Sequence, residues 1–247
     1  MFGEEVMSKD MDYDLTVILP AYNEEENLEK CVHETIKSFN QLKKSYEIII
    51  IENGSKDKTF EIAKKLVESH SFITAVHLDI ATVTGAIRRG YELARGKVVI
   101  NLDVDLATEM SHLEELVSYT DNFDIVTGSR YLDKTGVKRT WNRLLLSLVF
   151  NNILVRGLLG SKLKDNNCGF RAFKREVGIN LYRDVKDNYF FGLVEIMIRA
   201  QKRGYKIKEF PVKWTENSRK IGVKRIMQFL IPGLKLWIEF LTTKPKI

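Results

Sequence analysis

An α/β fold, in which a mostly parallel sheet is covered by helices on both faces, is what this 247-residue sequence predicts. Two observations lead there. Short apolar runs of strand length alternate with amphipathic segments through the first hundred residues, and the links between them are short. The composition, 44% hydrophobic and 29% charged, is that of an ordinary globular chain long enough to bury a substantial core.

Each element follows from its local pattern. Leu15–Leu19, apolar but for Thr16, reads as a buried strand that Pro20 stops. From Asn27 to Leu42 the residues Leu28, Cys31, Val32, Thr35, Ile36 and Phe39 fall on one helical face. Tyr46–Ile51 is a second strand, and Lys58–Glu68 a second helix that turns Phe60, Ile62, Ala63, Leu66 and Val67 mostly inward. Ile73–Leu78, Gly85–Ala94 and Lys97–Leu102 supply a third strand, a third helix and a fourth strand. A later run from Asp124 reads as a strand that delivers Arg130 to the same edge. Without an internal repeat or a low-complexity linker, one compact unit is expected: a flexible start at 1–13, a main domain at 14–220 and an amphipathic carboxy-terminal helix at 221–247.

Charge is distributed unevenly. Up to residue 129 there are 13 Lys and Arg against 24 Asp and Glu; from residue 130 there are 26 against 9. A net −11 half joined to a net +17 half implies a polyanionic partner for the second: nucleic acid, anionic lipid or a phosphorylated substrate. No nucleic-acid-binding motif is present, which argues against the first. The two cysteines, Cys31 and Cys168, have no metal-ligand or redox spacing and imply a reducing compartment. No stretch reaches the roughly 18–20 apolar residues of a membrane span. Ile226–Leu241, for instance, is interrupted by Gln228, Pro232, Gly233, Lys235 and Glu239.

In open parallel sheets ligands bind beyond the carboxyl ends of the strands, so the segments after each strand are where chemistry belongs. After the first comes Pro20-Ala21-Tyr22-Asn23-Glu24. Tyr22 suits stacking on a planar base and Glu24 suits a nucleoside hydrogen bond; the same residues also read as a helix start capped by Asn23. After the second comes Glu52-Asn53-Gly54-Ser55, which suits base or ribose edges and reads equally as a turn before a capped helix. After the fourth comes Asp103-Val104-Asp105. In an extended segment its two carboxylates point the same way, and they would repel each other unless a cation lay between them. Hard oxygen ligands suit Mg²⁺ or Mn²⁺, which would also bind a diphosphate and stabilise a departing nucleoside diphosphate. In the basic half, Arg130, Arg143 and Ser147 (four residues apart), Asp165–Arg171 and Ser218-Arg219-Lys220 form a set suited to holding phosphates.

Taken in order, Pro20-Ala21-Tyr22-Asn23-Glu24, Glu52-Asn53-Gly54-Ser55, Asp103-Val104-Asp105, Gly128-Ser129-Arg130-Tyr131 and Cys168-Gly169-Phe170-Arg171 resemble family 2 glycosyltransferases of the GT-A (Rossmann-like) fold. Among them they look most like the dolichyl-phosphate mannose synthases and dolichyl-phosphate glucosyltransferases. The resemblance implies that Pro20, Tyr22, Glu24, Glu52, Asn53 and Asp103 bind the nucleotide sugar, UDP-glucose or GDP-mannose. It implies that Asp103 and Asp105 hold Mg²⁺ or Mn²⁺. Arg130, Arg143, Ser147, Arg219 and Lys220 would bind the phosphate of a polyprenyl or dolichyl acceptor, with Asp105, Arg130 and Glu195 as catalytic residues. Inversion would convert an α-linked donor into a β-linked lipid product.

Four positions depart from the family's pattern. Glu52 and Asn53 replace paired aspartates, Thr82-Val83-Thr84-Gly85 replaces a glycine-rich segment, Ala107 stands where a third metal ligand is common, and Leu193 leaves Glu195 as the one acid of its stretch. A hydroxyl acceptor needs a general base, whereas a lipid phosphate is already anionic, so the last departure favours the phosphate. A saccharide or other hydroxyl acceptor is the alternative. Trp141–Leu159 and Ile226–Leu241 are apolar along one side, with Trp214, Trp237 and Phe240 suited to a lipid boundary. The protein is therefore expected to be cytoplasmic, peripheral on the cytoplasmic face of a membrane.

Overall fold

A computed structural model describes residues 13–133, 137–138, 150–215 and 223–242. The four strands and three helices read from the first hundred residues all form: β1 (Leu15–Ala21), α1 (Leu28–Gln41), β2 (Tyr46–Glu52), α2 (Thr59–Ser69), β3 (Ile73–His77), α3 (Val83–Leu93) and β4 (Val98–Asn101). There follow α4 (Leu113–Ser118), β5 (Ile125–Ser129), the two-residue β6 (Val137–Lys138), a π-helix at Phe150–Leu158, β7 (Arg171–Lys174), α5 (Arg175–Asp184), α6 (Gly192–Lys202), β8 (Ile207–Pro211), β9 (Trp214–Thr215) and α7 (Val223–Thr242). Seven strands make one sheet in the order β3-β2-β1-β4-β7-β5-β8, and β6 pairs with β9. Every neighbour in the large sheet is parallel except β7, which runs antiparallel to both β4 and β5.

Strand alternation sorts side chains onto two faces. Leu15, Val17 and Leu19 of β1 join Ile48 and Ile50 of β2 and Ile100 of β4 in a cluster beneath α1, α2 and α4. Ile18, Ile49, Ile51 and Val99 point the other way, into a cluster with α3, α5 and α6. The near-continuous apolar strands are the signature of a sheet buried on both sides. A third cluster joins Val155 and Leu159 to Val194 and Ile198 of α6 and Leu236 of α7. Helix α6 lies between the second and third clusters and is buried from Gly192 through Ala200, Glu195 and Arg199 included.

Three local expectations need correction. Pro20 does not stop β1, which runs on to Ala21. The Ile18 carbonyl accepts from Leu102 on the β4 side and the Ala21 carbonyl from Asn53 on the β2 side. Pro20 shares the side of Ile18, where pairing with β4 has already ended, so its missing N–H breaks no ladder bond. Asn23 does not cap α1, which begins at Leu28 with Asn27 at the cap position. Finally, Asp103–Asp105 is a turn rather than an extended segment: Leu106 N–H donates to the Asp103 carbonyl at 3.2 Å. Leu106 adopts a φ of 50°, a costly conformation for a leucine that tends to be kept where a site needs it.

Candidate active site

Because β1, β2, β4 and β5 are parallel, their carboxyl ends lie along one edge of the sheet, and Pro20–Glu24, Glu52 and Asn53, Asp103–Asp105 and Arg130 are gathered there. The antiparallel β7 brings its amino end to the same edge, and with it the segment Asp165–Phe170. Gly128 N–H donates to the Phe170 carbonyl at 2.9 Å and locks that segment to the end of β5.

Asp103 faces the open cleft, and a shallow pocket beside it is lined by Leu102, Leu106, Thr108, Met110 and Phe170. Gly169 covers its carboxylate so closely that a Cβ there would come within 2.2 Å of Oδ2. Withdrawal from bulk water is the largest influence on Asp103, and Asp105 and Glu24 add to it; Arg130 and Arg171 oppose it, leaving the carboxyl pushed up to about 6. Water in the cleft screens part of this effect. Asp105 Oδ1 accepts from Ala107 N–H at 3.1 Å, which closes the turn at the position where a third ligand was sought. Two carboxylates on one tight turn, one of them held back from ionising by burial, suit a divalent cation. Among the described residues no group of three or more His, Cys, Asp or Glu gathers into a metal site. An ion held by the two aspartates would leave its other positions to a diphosphate and water.

Arg130 is held in a rigid clamp. Its Nε and Nη2 donate to the two Asp165 oxygens at 2.6 and 2.8 Å, and its backbone N–H donates to the same carboxylate at 3.1 Å. Burial opposes both charges, but the pairing prevails: Arg130 is held above its ordinary value and Asp165 below. Trp214 lies 5.4 Å from the guanidinium carbon, within cation–π range. Glu209 fixes Asp165 in turn, accepting from the N–H groups of Lys164 and Asp165 at 3.0 and 2.6 Å. Asp165, Glu209 and Trp214 stand 35 to 84 residues from Arg130 in sequence, and neither periodicity nor spacing identifies them as its partners.

The proposed nucleoside residues lie at this edge, and Glu24, Glu52 and Asn53 are engaged by neighbouring groups. Tyr22 is exposed and Pro20 half-buried, both at the edge. Glu24 accepts from Asn27 at 2.8 Å. Asn23, with a φ of 52°, accepts from Lys56 N–H and donates its own N–H to Ser55 Oγ, tying the first loop to the second. Glu52 accepts from Ser55 N–H at 2.6 Å and pairs with His77 Nδ1. Asn53 makes a reciprocal pair with the backbone of Thr82, at 2.9 and 2.7 Å, and so sets the entry to α3.

Two further residues of the predicted set are buried, as Glu24, Glu52 and Asn53 are. Arg171 is 1% exposed and donates to the carbonyls of Leu193 and Asn166, both at 2.7 Å. It braces α6 and the 161–167 segment rather than presenting itself to a ligand. Glu195, 2% exposed, accepts from the N–H groups of Lys186 and Asp187 and from Arg199 Nε at 2.7 Å. It orients an arginine. Arg143, Ser147, Arg219 and Lys220 lie outside the described residues.

Comparison with known proteins agrees with this architecture. Residues 16–181 match the model of Glycosyl transferase family 2. The chain belongs to glycosyl transferase family 2. It is 37% identical over 241 residues to glycosyltransferase AglD of Haloferax volcanii, a match that covers 95% of this chain and 38% of that protein. The chain thus spans well under half of that relative. It is 34% identical to a dolichyl-phosphate beta-glucosyltransferase of Trichomonas vaginalis, over 91% of this chain and 73% of the other. Among solved structures, glucosyl-3-phosphoglycerate synthase of Mycobacterium tuberculosis with UDP superposes with a TM-score of 0.67 at 18% identity, covering 95% and 82% of the two chains. The Pyrobaculum calidifontis mannosyltransferase PcManGT with GDP-Man and Mn²⁺ superposes with a TM-score of 0.60 at 20% identity, covering 93% and 65%. The fold is the GT-A fold that these structures share.

Proposed function

We propose that this protein moves a hexose from a nucleotide sugar to a polyprenyl or dolichyl phosphate with inversion, yielding a β-linked lipid-phosphate sugar. The observation that carries the proposal is the engagement of Glu195. It is the acid its stretch offers as a base, and Arg199 and two backbone amides take up its carboxylate. An acceptor hydroxyl would need such a base; a phosphate oxygen at neutral pH is already a nucleophile. The relatives named dolichyl-phosphate beta-glucosyltransferase support the same acceptor and favour glucose over mannose as the hexose, with UDP-glucose and GDP-mannose the two candidate donors.

Residues 14–220 form the catalytic unit in this reading and 221–247 the surface element. Asp103 and Asp105 hold Mg²⁺ or Mn²⁺, which when bound neutralises charge on the leaving nucleoside diphosphate. Tyr22 stacks on the base, with Pro20, Glu24, Glu52 and Asn53 shaping the nucleoside edge. Arg130, its guanidinium fixed by Asp165, faces the acceptor phosphate as a preorganised charge that needs no rearrangement as charge shifts. The same reading assigns Arg143, Ser147, Arg219 and Lys220 to the acceptor phosphate.

The acceptor reaches the site from a membrane surface. Among the described residues no helix is long and apolar enough to cross a membrane, but α7 exposes Leu230, Ile231, Leu234, Ile238 and Leu241. Their spacing puts them on one side of the helix. That strip, within a half of the chain carrying a net +17, suits a peripheral position on an anionic cytoplasmic leaflet. Both cysteines are buried and free, as a reducing compartment allows.

Transfer of radiolabelled hexose from UDP-glucose and, separately, GDP-mannose to polyprenyl phosphate tests the proposal, with Mn²⁺ or Mg²⁺ and an Asp105→Ala control. Label should enter the lipid phase from one donor and vanish in the control. A folded protein that binds donor yet labels no lipid from either would move the assignment to a hydroxyl acceptor.

A further inference from the structure

The exposed strip of α7 and the nucleotide edge are joined by a continuous path of charged and backbone hydrogen bonds. On the inward side of α7, Leu236 is buried and Gly233 packs against Leu154 and Phe191. Glu239 also lies on this side and accepts from Arg199 Nη2 with both oxygens at 3.1 Å, while Lys186 Nζ sits 2.9 Å from its Oε2. Burial opposes ionisation of Glu239, but Lys186 and Arg199 hold its carboxyl below the ordinary range, so the contact is a charged one. Arg199 reaches on to Glu195, whose two oxygens grip the N–H groups of Lys186 and Asp187.

The gripped segment then meets α3. The Asn188 carbonyl accepts from the N–H groups of Thr84 and Gly85 at 3.0 and 3.3 Å, and Thr84 Oγ1 donates to the Tyr189 carbonyl at 2.6 Å. Arg88 fastens the same segment, donating to the Asn188 side chain and the Val185 carbonyl. The space is tight: a Cβ on Gly192 would lie 2.3 Å from both the Asp187 carbonyl and Thr84 Oγ1. One residue before α3, Thr82 is paired with Asn53, whose own N–H donates to the Ala21 carbonyl at the end of β1. From α7 to the ends of β1 and β2 no step relies on loose apolar contact alone.

The geometry points to Arg199 and Glu195 as positioning residues that couple docking of α7 on a lipid surface to the nucleotide edge, through the 185–190 segment, Thr84 and Asn53. This rests on the membrane-surface reading of α7. Coupling of this kind requires that the docked and free states differ in how tightly they bind nucleotide, and the effect must be reciprocal. The proposed two-state element is the 185–190 segment. A shift of Glu239 moves Arg199 directly, and it moves Lys186 from two sides, through its side chain and through the Glu195 contact to its amide.

The test uses the whole chain and measures UDP and GDP affinity in Mn²⁺, with and without phosphatidylcholine–phosphatidylglycerol vesicles. Vesicles should tighten the better-bound nucleotide by roughly fivefold or more. Glu239→Ala, which leaves the Arg199–Glu195 pair intact, should bind vesicles as the wild type does and lose that tightening; Glu239→Asp should recover part of it. Arg199→Met removes the relay itself but strands a buried carboxylate, so Glu239→Ala is the deciding variant. Tightening that survives in Glu239→Ala, or wild type that binds vesicles without tightening, overturns the coupling and leaves the membrane reading standing. Wild type that ignores vesicles overturns both, and wild type that binds neither nucleotide overturns the donor assignment along with the coupling.

Discussion

At the scale of single residues, the contact between Gly169 and Asp103 is the most exacting in the site. A Cβ at 169 would collide with the end of a flexible carboxylate rather than with backbone. Gly169→Ala should therefore spare the fold and displace Asp103. We expect a thermal midpoint close to wild type, loss of Mn²⁺-dependent stabilisation, and a fall in kcat/KM on the order of a hundredfold, the scale of an ångström-sized misplacement. A variant with full activity would show that the glycine serves only packing. Asp103 itself sets a pH dependence. Its carboxyl is raised from 3.8 to about 6, so between those values the folded chain keeps a proton that the unfolded chain has released. Asp103 favours the fold at acid pH and loses that contribution as pH rises through about 6. A cation competes with the same proton, so the thermal shift produced by Mn²⁺ should shrink as pH falls through about 6. A shift that is flat across that range would remove Asp103 from the ligand set.

Among elements, α7 has two faces in different surroundings. Leu236 is 3% exposed and closes the third cluster. Leu236→Ala should cost about 2–5 kcal/mol by chemical denaturation, the usual cost of a core truncation. Ile231 and Leu234, each 47% exposed, should behave oppositely. Ile231→Ser with Leu234→Ser should change stability by no more than about 0.5 kcal/mol per site and yet weaken co-sedimentation with anionic vesicles. Equal vesicle binding by that double variant would take the strip out of the interface. Helix α6 shows why such roles are hard to read locally. Its apolar run marks it as buried, but only the packed structure reveals that it separates two clusters and that Glu195 and Arg199 form the polar line through them.

For the molecule as a whole, the charge asymmetry should govern surface binding. A net −11 half and a net +17 half make attraction to an anionic leaflet worth about 1 kcal/mol for each basic residue near the surface, and salt screens it within a Debye length. Vesicle affinity should fall steeply as NaCl is raised, while nucleotide affinity, set inside the cleft, should fall much less. Parallel declines in both would mean that the basic half serves the donor rather than the membrane.

Much of this protein was legible in its sequence because strands and helices write their own periods. The alternation of β1, β2 and β4 between two faces, the amphipathic α1 to α3, and the arrival of Asp103, Asp105 and Arg130 after strands all depend on local pattern together with the rule that parallel strands share a carboxyl edge. The tertiary structure decided what no local pattern encodes. Pro20 remains inside β1 because the neighbouring ladder ends two residues earlier. Asp165 clamps Arg130 because an antiparallel β7 lies between β4 and β5. Arg199 meets Glu239, forty residues on, because α7 returns to cover α6. Each depends on which distant segment comes to lie beside the residue, and hydrogen bonds and ion pairs act over a few ångströms of space whatever the separation along the chain.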